Sequence, residues 1–348
     1  MPGIAVSIFR VLLVCLAGAA SAQSAPASLP PADDAVTDMA PVLVSGVQPG
    51  PGLWKVSRGD HVMWVLGTVS PLPRHMQWKS DEVEDMVAAS QQVLGPPGLV
   101  IGARVGFFGK LMLLPSMMGL KKNPDGATLR DVLPPELHER WDAQRRKYLG
   151  NSHRFERLRP IFAGKELYDV AMKQIGLTDD GGVRDLVSAM AKRHGVAVRS
   201  TSYQLVLEGP RSAAKTFKKT SMEDTRCLSQ VIDAMDSDLV EAAERANAWS
   251  VGDIDALRSM LAGVRKDACL SAIGGAGFAK KLGMQDVQQR TGDAWLDTAR
   301  DALENNRQTF AMLPMEQVLS ADGYLARLQQ DGFVVQAPDE PSSGSTTH

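Results

Sequence analysis

Apolar and polar residues along this chain follow two different spacings, and these outline its strands and helices. Residues 53–58 and 61–66 are β-branched, aromatic and partly alternating on either side of a Gly59-Asp60 turn, which predicts a β-hairpin. Four further apolar runs have the length of buried strands: 92–94, 196–198, 309–313 and 332–335. The pattern therefore predicts at least six strands, spread over both ends and the middle of the chain.

The intervening segments carry apolar residues at helical spacing. The predicted helical stretches are 80–87, 134–149, 160–175, 182–194, 212–261, 295–303 and a segment that begins near 321. Strands mixed with helices in this way predict an α/β fold. We expect a central mixed β-sheet, built from the hairpin and the four other strands and flanked by helices. Helical insertions near 125–175 and 212–290 would pack around it.

The first 50 residues read as targeting and linker sequence. Arg10 precedes the apolar run 11–20, and Ala20-Ser21-Ala22 is a small-residue cleavage signal, so residues 1–22 are predicted to be a signal peptide cleaved after about Ala22. We expect the chain to be periplasmic or secreted, with no transmembrane segment after cleavage. Residues 23–50 are predicted to be a flexible linker, 51–336 the folded domain and 337–348 a disordered tail.

Charge and apolar composition narrow the classes of partner. The formal net charge is −2 and no long basic run occurs, so nucleic acid is not predicted as a partner. The most apolar stretch after the signal, 104–120, is interrupted by Arg104, Lys110 and Pro115. We interpret it as a buried, broken helix. The alternative is a methionine-rich contact surface for a peptide, lipid or partner chain.

Two cysteines remain after the predicted cleavage. Export to an oxidising compartment favours a disulfide between Cys227 and Cys269. The alternative is a pair of buried free thiols.

The loop after the second hairpin strand is the best candidate site in the sequence. Gly67 ends the predicted strand, where we expect the backbone to need the conformational freedom of glycine. Thr68, Val69 and Ser70 follow, and a loop fixed by a rigid strand is a common place for a reactive side chain. No base for Ser70 is evident in the sequence, so a hydroxyl that satisfies the backbone is the stronger interpretation.

This hairpin and loop resemble the opening of the TraB/GumN family, which includes the Tiki metalloproteases. The resemblance rests on Trp54 and the hairpin, on the Gly67-Thr68 step and on Trp78, and on a closing strand, loop and helix that contain Asp322-Gly323. It covers about residues 51–336, and it implies a TraB/Tiki-like α/β fold. Family members carry a G-x-x-H motif in each of these two loops.

The resemblance also indicates which chemistry has changed. Gly67 and Thr68 match the first motif, but Ser70 stands at its histidine. Counting back from Asp322-Gly323 places Pro314 at the glycine and Gln317 at the histidine of the second motif. Alignment of the middle places Arg184 and Ser202 at two positions that are acidic in the family.

The family's histidines and acidic residues are proposed to bind a metal for hydrolysis, so this resemblance implies a catalytically degenerate member. We expect an exported protein without a cofactor that binds a peptide or protein in the groove between the Ser70 and Gln317 loops. Whether it is an enzyme stays open. One alternative is an active metal-dependent peptidase with manganese, cobalt or zinc in a rearranged site that uses His75. Another is a structural envelope protein that uses the 104–120 face. The sequence does not define the substrate, the oligomeric state or the biological process.

Overall fold

The fold was obtained from a computed structural model. It describes residues 46–74, 76–103, 112, 119–179, 182–219, 224–262 and 286–338. All of these belong to one compact unit, residues 40–348. The predicted signal peptide, most of the predicted linker and tail, His75, Cys269 and most of the 104–120 segment lie outside the described residues.

A six-stranded mixed sheet forms the centre of the unit, in the strand order β10-β1-β2-β9-β4-β7. Its strands are β1 (Leu53–Arg58), β2 (His61–Thr68), β4 (Gln92–Leu94), β7 (Ala197–Arg199), β9 (Gln308–Pro314) and β10 (Val334–Gln336). The β1–β2 hairpin and β10 pair antiparallel, whereas β2, β9, β4 and β7 run parallel. Every strand of this sheet was predicted, so the α/β fold with a central mixed sheet is confirmed.

Two small two-stranded sheets were not predicted. One pairs β3 (Leu72–Pro73) with β6 (Leu177–Thr178), and the other pairs β5 (Leu99–Ala103) with β8 (Tyr203–Leu207). The first is only two residues long on each side. In the second, Val100 and Ile101 are exposed, so the apolar residues do not mark a buried face. The second does contain short apolar runs, 99–101 and 205–207, that were not predicted as strands.

Eleven α-helices lie among the described residues. They are α1 (Asp81–Ala88), α2 (Leu129–Val132), α3 (Pro135–Leu149), α4 (Pro160–Gln174), α5 (Val183–Arg193), α6 (Pro210–Lys219), α7 (Asp224–Val251), α8 (Ile254–Ala262), α9 (Val287–Asn305), α10 (Met315–Leu319) and α11 (Tyr324–Gln330). Proline at the first position starts α3 and α4, since it has no N–H to leave unpaired there. No helix in the described part of the chain is long and apolar enough to cross a membrane.

The buried apolar residues form two main clusters, and α7 belongs to both. The first cluster contains the sheet, α1, α5, α9 and the last turns of α7 around Trp249. The second lies among α2, α3, α4 and the preceding turns of α7, from Leu228 to Ala242. Helix α7 therefore connects the predicted helical insertion to the sheet.

Cys227 is buried near the start of α7, where it packs against Ile161. Its predicted partner, Cys269, lies outside the described residues, so the disulfide stays a prediction.

Candidate functional site

The two motif loops lie side by side at the carboxyl ends of neighbouring parallel strands. Strand β2 pairs with β9, with Gly67 opposite Leu313 and Thr68 opposite Pro314. The Thr68 hydroxyl donates a long hydrogen bond of 3.4 Å to the Leu313 carbonyl. In sheets with parallel strands, clefts at the carboxyl ends are the usual ligand sites. The sheet therefore brings together two loops that are 245 residues apart in the chain.

Gly67 does not need the conformational freedom that was predicted for it. Strand β2 continues through Thr68, and Gly67 is not among the glycines with positive φ. A Cβ at this position would lie 2.5 Å from Cε and 2.8 Å from Sδ of Met315, at the start of α10. The space beside Gly67 is therefore filled by the flexible end of the Met315 side chain.

A tryptophan from α7 fixes this end of β2. The indole N–H of Trp249 donates a 2.7 Å hydrogen bond to the Gly67 carbonyl, and Trp249 is fully buried. Its ring packs edge-on against Trp78, with the centroids 5.6 Å apart. The loop that carries Ser70 is thus held between the sheet and α7.

The cleft between these elements has a volume of about 380 Å³. Its walls combine hydroxyl groups, two arginines, two carboxylates and apolar side chains. The lining residues are Thr68, Val69, Ser70, Pro96, Pro97, Asp179, Val183, Arg184, Arg245, Leu261, Met312, Pro314, Met315 and Glu316. Of the predicted site residues, Thr68, Ser70, Arg184 and Pro314 therefore meet at one cleft.

The second motif loop presents a residue other than the predicted one. Glu316, which is exposed, lines the cleft, whereas Gln317 is not among the lining residues. Three residues beyond the Gly67–Leu313 pair, the chain reaches Ser70 in the loop after β2 and Glu316 in the first turn of α10. The sequence does not reveal this strand pairing, so Glu316 was not predicted.

Ser202 lies behind the cleft wall rather than in it. It lies against Gly98, in the loop after β4, where a Cβ added to the glycine would be only 2.8 Å from Ser202 Oγ. The neighbouring Thr201 hydroxyl instead fixes this loop, with contacts of 3.0 Å to the Gly95 carbonyl and 2.8 Å to the Pro96 carbonyl. These bonds hold Pro96 in the wall of the cleft.

A second cavity of about 380 Å³ adjoins the first, and the two share Asp179 and Arg184. It is also lined by Asp169, Lys173 and the β6 strand. Its charged residues make it more polar than the first cavity. The two cavities together offer space for an extended ligand.

The described cleft residues do not fit a transition-metal centre. Such a centre needs imidazole, thiolate or carboxylate donors that converge on one point. The described lining offers two carboxylates, on Asp179 and Glu316, together with two guanidinium groups. No group of three or more His, Cys, Asp or Glu residues that could hold a metal occurs in the described ranges. His75, the predicted substitute ligand, lies outside those ranges.

Arg245 also lines the cleft and, like Asp179 and Glu316, was not predicted from the sequence. It lies on α7 four residues before Trp249 and three after Ala242, which are both buried. An arginine on the buried side of a helix is a signal in itself. The sequence does not show, however, that this helix passes over the Ser70 loop.

A family comparison agrees with this architecture. The chain matches the model of the TraB/PrgY/gumN family over residues 52–337. It belongs to this family. The match spans most of the folded unit, including both strands that end at the cleft, and it confirms the family predicted from the hairpin and the closing segment. No curated protein and no solved structure matches this TraB/PrgY/gumN protein.

Proposed function

We propose that this TraB/PrgY/gumN protein is exported and binds a peptide or a peptide segment of a protein in the cleft, without metal-dependent hydrolysis. The observation that carries the proposal is the make-up of the cleft where β2 and β9 end. There Ser70 and Glu316 follow the ends of the two strands, and Arg184 and Arg245 line the same space.

The lining chemistry suits a peptide. A peptide backbone offers both donors and acceptors, which hydroxyl, guanidinium and carboxylate groups can satisfy. Pro96, Pro97 and Met312 supply apolar wall for side chains. The adjoining cavity behind Asp179 and Arg184 leaves room for a ligand that is longer than the first cavity.

Loss of metal chemistry is supported by the same residues. Two guanidinium groups beside the carboxylates would repel a divalent cation and compete with it for the carboxylate oxygens. Serine in place of imidazole supplies only a weak neutral ligand. Export is supported by the N-terminal sequence pattern, with Arg10, the apolar run and Ala20-Ser21-Ala22.

Peptide binding is tested with the mature chain and a fluorescein-labelled peptide mixture from digested casein, by fluorescence anisotropy. Ser70→Trp should fill the cleft and abolish binding, since Ser70 is exposed in its lining. Ser152→Trp is the matched control, because Ser152 is exposed in the turn after α3 and is not a lining residue. Equal binding by both variants and the unchanged chain would refute a peptide site in this cleft.

Metal dependence is tested separately, by elemental analysis of the purified mature chain and by cleavage of the same peptides with and without a chelator. We expect substoichiometric manganese, cobalt and zinc, and no chelator-sensitive cleavage. One bound metal per chain together with chelator-sensitive cleavage would contradict the proposed loss of hydrolysis. If cleavage occurred, His75→Ala would show whether that histidine carries it.

A further inference from the structure

The end of the cleft under α7 contains an arginine that is held in place without a strong internal partner. Arg245 lies one helical turn before Trp249, whose indole is bonded to the Gly67 carbonyl. Residues four apart lie on the same face of a helix. The bond from Trp249 therefore orients α7 so that Arg245 faces the cleft beside the Ser70 loop.

The Arg245 side chain is mostly buried. It is 14% exposed, and its ion pair is with Glu241, at 3.6 Å. Glu241 lies one turn earlier on α7 and is 57% exposed. Because Glu241 is solvated, this pair contributes little, and 3.6 Å is too long for an N–H···O hydrogen bond. Within the described ranges Arg245 donates no hydrogen bond, although it carries five N–H donors.

The other charged groups of the cleft are in a different situation. Asp179, Arg184 and Glu316 are all exposed, so water and salt screen their charges. A partly buried guanidinium with unmet donors favours an anion far more strongly than a solvated one. The planar carboxylate matches the fork of donors that arginine presents.

We propose that Arg245 binds a carboxylate of the ligand, so that the cleft selects peptides that carry a free C-terminal carboxylate or an acidic side chain. This inference rests on the proposed function. The two sources present the same chemical group, and synthetic peptides distinguish them.

The experiment uses random-sequence nonapeptide mixtures in three forms: with a free C-terminus, with an amidated C-terminus, and with a free C-terminus but without Asp and Glu. Binding to the mature chain is measured by anisotropy competition. If the C-terminus is the ligand group, amidation should weaken binding roughly 10- to 100-fold, the effect of losing charge-assisted hydrogen bonds. If an acidic side chain is the ligand group, only the mixture without Asp and Glu should bind more weakly.

The matched variants act on the protein side. Arg245→Gln should weaken binding of the peptides that carry the recognised carboxylate by the same factor. It should leave binding of the peptide forms that lack this carboxylate unchanged. Arg245→Lys should restore only part of the affinity, because lysine cannot form the bidentate contact. Glu241→Gln removes the exposed partner and should leave binding equal or tighter.

The outcomes separate this inference from the proposed function. Equal binding of all three peptide forms by the unchanged chain overturns the inference without any variant, so a poorly folded variant cannot obscure the result. Loss of binding with Ser70→Trp but not with a folded Arg245→Gln also overturns it, while the peptide site stands. No effect of Ser70→Trp overturns the proposed function itself.

Discussion

Two buried tryptophans of the first cluster allow a single hydrogen bond to be isolated. The Trp249 indole N–H donates to the Gly67 carbonyl at 2.7 Å, whereas the Trp54 indole N–H is buried with no hydrogen-bond partner in the described structure. Replacing each by phenylalanine removes the same atoms from the same cluster. Phenylalanine also retains an aromatic ring against Trp78 in the Trp249 variant.

The difference between the variants can be worked out from these contacts. Both side chains are less than a tenth exposed, so the apolar burial that is lost is similar. Trp249→Phe also loses a hydrogen bond and deprives the Gly67 carbonyl of this donor, while Trp54→Phe removes a donor that was already unsatisfied. Removing one partner of a buried hydrogen bond costs about 1–3 kcal/mol. We expect Trp249→Phe to be less stable than Trp54→Phe by about 1–3 kcal/mol.

Urea unfolding followed by far-ultraviolet circular dichroism measures this difference, since tryptophan fluorescence would itself change with the substitutions. With a urea dependence of about 1–3 kcal/mol per molar, the unfolding midpoints should differ by about 0.3 M or more. Midpoints within experimental error of each other, or a lower midpoint for Trp54→Phe, would refute the assignment of the bond to Gly67 as the anchor of this loop.

Three further substitutions test other parts of the molecule. Arg159→Met removes the cation from a buried ion pair in which Nε lies 2.7 Å from Asp224 Oδ2. We expect the free energy of unfolding in urea to fall by about 3–5 kcal/mol, and a fall below about 1 kcal/mol would contradict the buried pair. The hydrogen bond from Arg145 outweighs burial and holds the pKa of Asp142 below its ordinary value of 3.8. The ionised Asp142 carboxylate therefore stabilises the fold fully above about pH 4, and this stabilisation is lost as pH falls through the lower pKa of the folded state. In unfolding measured at a series of acidic pH values, the free energy of unfolding of Asp142→Asn should depend less on pH in this range. Thr201→Val removes the hydroxyl that is hydrogen-bonded to the loop after β4, so it should lower the free energy of unfolding by about 1–3 kcal/mol and weaken casein-peptide binding. Thr201→Ser should keep both the stability and the binding. Equal peptide binding by the two variants would show that this loop does not shape the cleft.

The central sheet was predictable because its strands are short, apolar and separated by clear turn residues. The 92–94 run coincides with β4, and the Gly59-Asp60 turn joins β1 to β2 as expected. The β5–β8 ribbon contains the short apolar runs 99–101 and 205–207, but runs of this length do not show which distant segment they pair with. Local sequence carries the pattern of a buried face, but it does not reveal a short ribbon formed by two distant segments.

The candidate site was predictable only where it follows directly from a strand end. Thr68, Ser70 and Pro314 come from β2, its following loop and β9, so they reach the cleft as expected. The difference between Glu316 and Gln317 depends on the β2–β9 register. Arg245 depends on the path of a 28-residue helix over the sheet. Both of these are tertiary facts with no local signature in the sequence.

Helix α7 passes from the helical cluster to the sheet cluster within one continuous rod, and Arg245 lies between the two, after Ala242 and before Ala246. Local unfolding of α7 would expose both apolar clusters and would release a ligand bound at Arg245. The free energy of ligand binding therefore adds to the free energy of this unfolding, and it protects the amides of both clusters from exchange. Amide hydrogen exchange should therefore slow in α3, which contributes no side chain to either cavity, whenever the cleft is filled. The far helical layer would then serve as a reporter of occupancy.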